Sequence, residues 1–100
     1  MSEPKTERRL DLPRFDVAYE ATLIPSIGVV VPGHMRDVSL TGLCFLSDQI
    51  REVGERLKLV VELPDRDEPL TGEVEVIWAE ERTSEVGMHV YPYAMGLQAV

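Results

Sequence analysis

Four stretches of the chain place apolar side chains at every second position, and that spacing limits the fold more than any other feature. Leu57, Leu59, Val61 and Leu63 alternate with Lys58, Val60 and Glu62. Val74, Val76 and Trp78 alternate with Glu73, Glu75 and Ile77, and Val86, Met88 and Val90 with Gly87, His89 and Tyr91. Val17, Tyr19, Ala21 and Leu23 repeat the pattern and are followed by an apolar run at Val29–Val31. Side chains of an extended chain point alternately to its two faces, so each stretch predicts a strand with one core-facing side. Turn signals separate them at Pro25-Ser26, Pro32-Gly33, Thr41-Gly42, Gly54 and "LPDRDEPLTG". "SDQIREVGER" predicts at most a short helical turn before Gly54. About six short antiparallel strands are expected. Such strands close into a barrel or sandwich, which removes exposed edges.

Length and composition fit one small domain. One hundred residues, 44% hydrophobic and 28% charged, suffice for a single core and do not describe a disordered chain. Nothing approaches the ~18 apolar residues of a membrane span, and the polar start "MSEPKTERRL" carries no export signal, so the expected compartment is the cytoplasm. Cys44 is the only cysteine, which excludes an internal disulfide, and a buried thiol is expected. Residues 1–14 read as a flexible arm, with Pro13 holding Leu12 extended, and 15–100 as the folded domain.

The charge is unevenly divided. The arm has Lys5, Arg8, Arg9 and Arg14 against three carboxylates, a net +1. The remainder has six basic and fifteen acidic side chains, a net −9. Such a body repels polyanions, so DNA or RNA is not an expected partner. An anionic ligand would have to be small and gripped by a few arginines.

One segment departs from simple alternation. "HMRDVSLTGLCF" places Asp37 and Ser39 on one face of an extended segment, just before Thr41-Gly42. Asp, Ser and Thr-Gly also make turns that organise a hairpin, so the residues alone leave both a turn and a binding role open. Catalysis is not expected: His34, Asp37 and Ser39 lie within six residues of one segment and cannot converge as nucleophile, base and orienter. His34 and His89 lack a third ligand at metal spacing, so neither a metal nor a cofactor is expected.

"DVSLTG" at 37–42 matches the Asp-x-Ser-x-x-Gly motif of the PilZ domains, small bacterial β-barrels that bind cyclic di-GMP. "LCF", "EVGERLKLVVELP", "GEVEVIWAEE" and "EVGMHV" follow in the family's order, so the resemblance covers roughly residues 7–91. It implies an all-β, six-stranded antiparallel barrel with little or no C-terminal helix, since only "YPYAMGLQAV" follows Val90. The family's second motif is a pair of arginines with three residues between them. Arg14 fits the second position, but the strict first position is Leu10, and Arg8 and Arg9 are the nearest candidates.

The resemblance assigns cyclic di-GMP contacts to Arg8, Arg9, Arg14, Asp37, Ser39, Gly42 and Trp78. The residue types suit the ligand. A guanidinium meets phosphate or the O6/N7 edge of guanine with two hydrogen bonds and stacks on the base. A carboxylate accepts from guanine N1–H and N2–H₂. Gly42 permits close backbone approach, and Trp78 suits either a base contact or the barrel's own packing. Two functions follow: a receptor whose arm orders on the nucleotide and signals through an effector protein or a homodimer, or a nucleotide-independent adaptor working by protein contact.

Overall fold

The computed structural model describes residues 15–38 and 42–100, with side chains from Tyr19 onward except those of Asp37 and Val38. Its strands are β1 (Phe15–Ile24), β2 (Val31–Val38), β3 (Leu43–Ser47), β4 (Arg56–Val61), β5 (Leu70–Val86) and β6 (His89–Ala99). They form a closed barrel in the order β1-β2-β3-β6-β5-β4, and every pairing is antiparallel. The expected all-β, six-stranded barrel is what the chain forms, and no helix occurs among the described residues.

The inward face follows from period two. Ala21 and Leu23 of β1, Leu57, Leu59 and Val61 of β4, and Val74 and Val76 of β5 are all buried. They meet Val31, Met35, Phe45, Met95 and Leu97 in one core cluster. Glycine is needed where strands come closest: a Cβ on Gly33 would strike the Leu46 carbonyl and the Phe45 ring. Pro32 and Gly33, a turn signal in the sequence, therefore lie inside β2. Pairing with β3 begins only at Gly33, so the missing amide of Pro32 deprives β3 of nothing. Val29 and Val30 stay in the loop before β2, largely exposed.

The C-terminal third differs most from the expected pattern. Val86, Met88 and Val90 do not form a core-facing strand: Gly87 and Met88 make the turn between β5 and β6, with Gly87 at φ +60° and Met88 fully exposed. Most of the segment after Val90, which leaves little or no room for a C-terminal helix, is β6, the strand that fills the barrel between β3 and β5.

Two irregularities shape the long β5–β6 hairpin. Val76 pairs with Leu97 and Trp78 with Gly96, so β5 carries an extra residue at Ile77. This bulge returns Ala79 to the core after Val76 while turning Trp78 outward. A second shift lies between Glu81 and Ser84, opposite Pro92, which has no amide to offer a ladder. Pairing with β4 ends at Glu75, so residues 77–86 of β5 pair with β6 alone. Glu80, Glu81, Arg82 and Glu85 lie along this stretch, charges of the kind that protect an open edge.

Candidate nucleotide site

Antiparallel pairing brings the two functional segments together. Phe15, the residue after Arg14, pairs with Val38, the residue after Asp37. The root of the arm and the end of β2 thus meet at one end of the barrel. Gly42 opens the return into β3 at the same end, and a Cβ there would collide with the Leu97 carbonyl of β6. Gly42 is therefore required by the close approach of two backbones, whatever else it touches. Arg8, Arg9, Arg14 and Ser39 lie outside the described residues, as does the side chain of Asp37.

The outer surface beside this end is built from small and aromatic groups. Arg36 pairs with Cys44, Cys44 with Gly96 and Gly96 with Trp78, one rung across β2, β3, β6 and β5. Cys44 is buried, as expected, with Leu46, Tyr91 and Ala94 in a second cluster against which Trp78 and Val86 pack. This cluster covers the outer face of β3, which explains why Cys44, Phe45, Leu46 and Ser47 are buried in succession. Trp78 lies across Gly96, where any side chain would overlap its indole. The Arg82 guanidinium stands 5.2 Å from the indole centroid. It also pairs with Glu80, Nε to Oε2 at 2.7 Å. Trp78 is half-buried on the outer face and does not belong to the inner core.

The end of the hairpin is docked against β2. Tyr91 Oη and His34 Nδ1 share a hydrogen bond of 2.6 Å. His89 Nε2 lies 3.3 Å from Asp48 Oδ1, and the His89 and Tyr91 rings are 4.1 Å apart. Arg36 donates to the Glu85 carbonyl at 3.4 Å. Sequence spacing did not reveal this set, because its members sit far apart in the chain. His34 and His89, read separately, are joined through Tyr91. The groove beside them, about 630 Å³, is lined by Glu20, Asp48 and Glu62 as well as the histidines. Its carboxylates make it unsuited to a phosphodiester.

Burial, then the charges of Asp48 and Glu20, raise the Tyr91 phenol above its usual 10.0. A phenol whose pKa is higher folded than unfolded stabilises the fold below the unfolded value. That contribution is lost as pH rises through the folded value. The denaturation midpoint of the wild-type protein is therefore expected to fall from about pH 10 upward. Urea titrations at several alkaline pH values will show a shallower fall for Tyr91→Phe, which has no phenol to ionise.

The described residues define a small closed β-barrel with the Phe15–Val38 pair and Gly42 at one end. A sequence model of the PilZ domain matches residues 6–98, nearly the whole chain. The chain belongs to the PilZ family, a cyclic di-GMP-binding family whose members are receptors and adaptors rather than typical enzymes. No curated protein and no solved structure matches the chain. No helix among the described residues is long and apolar enough to cross a membrane.

Proposed function

We propose that the chain is a cytoplasmic receptor for cyclic di-GMP, acting through an effector protein. The observation that supports this reading is the pairing of Phe15 with Val38, the residues that follow Arg14 and Asp37 in sequence, in a chain of the PilZ family. Arg14, with Arg8 or Arg9, grips a phosphate or a guanine edge. Asp37 accepts from guanine N1–H and N2–H₂, donors that adenine does not present. Ser39 adds a hydrogen bond, and Trp78 offers an aromatic surface on the outer face of the barrel. Residues 1–14 act as the arm that orders on the nucleotide, and 15–100 as the barrel that receives it.

Affinity sits on a narrow margin. Micromolar binding needs about −8.2 kcal/mol. One bidentate base contact gives ~1–3 kcal/mol of discrimination, while fixing each arm residue costs ~1–2 kcal/mol. Leu10 at the strict first arginine position therefore favours a second reading, an adaptor that works without nucleotide.

Titration calorimetry with cyclic di-GMP separates the two. Micromolar binding is expected for the wild-type chain, with Arg14→Ala and Asp37→Ala each weakening it at least about tenfold. A folded wild-type chain that gives no heat at high ligand concentration would establish the adaptor instead.

A further inference from the structure

We infer that the chain associates with a second copy of itself through the loop between β1 and β2, each copy seating that loop in a groove of the other; the inference does not depend on the nucleotide. From Ala21 to Met35 the chain carries no Lys, Arg, Asp or Glu, although 28% of its residues are charged. The middle of this stretch stands in solvent. Ile27 is 85% exposed and Val29 73%, and Ile24 and Val30 are exposed as well. Exposed aliphatic side chains gathered on one loop mark a contact surface. Pro25 and Gly28, the latter at φ +111°, fix the turn, so little is left to order on contact.

The groove lies against the same loop. It encloses about 490 Å³, with Ile24, Pro25 and Ser26 on one side and Lys58, Thr71 and Glu73 on the other. One outer rung crosses it: Ile24 pairs with Lys58, and Lys58 with Glu73. A projecting loop and a groove that share a wall are matched by a two-fold axis beside Ser26, which carries each loop into the partner's groove. The contacts are then reciprocal and close at two copies. Charge allows the pairing here. Two chains of net charge −8 repel one another wherever carboxylates meet. On this face they need not meet, because the loop is uncharged, Arg56 pairs with Glu75 at 3.7 Å and Lys58 stands across from Glu73. The face has fewer than the ~20–30 residues a side of a standard interface, so the dimer is a weak one. Ile24 and Phe15 lie at opposite ends of β1, ~30 Å apart, so the dimer leaves both motif ends uncovered.

Sedimentation equilibrium without nucleotide tests this on four full-length chains, wild type, Ile27→Asp, Thr71→Glu and Met88→Glu, from micromolar to millimolar concentration. The wild-type mass is expected to rise with concentration towards that of two chains and no further. Ile27→Asp on the loop and Thr71→Glu on the groove wall are each expected to weaken association at least about tenfold, because each buries a carboxylate at the contact. Both residues are exposed in the single chain, so urea midpoints are expected to match wild type. Met88→Glu is expected to associate as wild type does, since Met88 is fully exposed at the turn between β5 and β6, away from the loop and groove. Added salt is expected to strengthen the dimer, because screening weakens the repulsion of two acidic bodies. A wild-type chain that stays monomeric at millimolar concentration overturns the inference. So does association that Ile27→Asp or Thr71→Glu leaves within twofold of wild type, that Met88→Glu abolishes, or that grows past two copies.

Discussion

Replacing Phe45 by alanine is expected to cost ~3–5 kcal/mol of folding stability, the range for deleting a buried phenylalanine. Phe45 is fully buried in β3, between β2 and β6, and belongs to the core cluster with Met35, Met95 and Leu97. Its ring also fills the space that the missing side chain of Gly33 leaves. The neighbours cannot collapse into the void, because both adjacent strands are pinned by pairing around a closed barrel. Domains of this kind are stable by only about 5–15 kcal/mol, so the variant will be near unfolding at body temperature. Urea denaturation followed by Trp78 fluorescence measures the loss. Phe45→Leu, which keeps most of the volume, should cost clearly less. A loss below about 1 kcal/mol for Phe45→Ala would mean that the barrel interior relaxes more freely than a close-packed core does.

Gly42→Ala is expected to be destabilising by ~1–3 kcal/mol, as for a group forced into filled space. The obstacle is the Leu97 carbonyl, a backbone atom that cannot rotate away, so β3 and β6 must separate at the motif end. On the receptor reading, nucleotide binding should weaken in parallel, since Gly42 is the last residue of the Asp-x-Ser-x-x-Gly motif. Gly72→Ala is the control: it lies within β5, but a Cβ there meets open space, and the change should stay within about 0.5 kcal/mol. Equal stability of Gly42→Ala and wild type, with binding lost, would move the role of this glycine from packing to ligand contact.

The barrel was legible where one face is buried and the other solvated. Leu57, Leu59 and Val61 read as a strand because Lys58 and Val60 stand between them on the outer wall. β6 escaped the same reading for a physical reason. Ala94, Met95, Gly96 and Leu97 are all buried, because the cluster around Cys44 and Trp78 covers the outer face as the core covers the inner one. A strand buried on both sides has no alternation to read. The bulge at Ile77 hid the orientation of Trp78, since one extra residue reverses the face of everything after it. Asp37, Ser39 and Gly42 were legible as a motif. The rung from Arg36 to Trp78 was not, because it depends on three registers, one of them irregular.

The position of β6 has a bearing on how the chain is made. It is the last strand in chain order, yet it lies between β3 and β5. Synthesis proceeds at about 5–20 residues per second, so a nascent chain spends up to a few seconds with β1 to β5 emerged and the wall between β3 and β5 missing. During that interval two strand edges and the future core are open to other chains. Pairing between distant segments is slow to form, and here Leu43 must wait for Leu97. The hazard of misassembly is therefore concentrated in the interval before β6 joins the barrel.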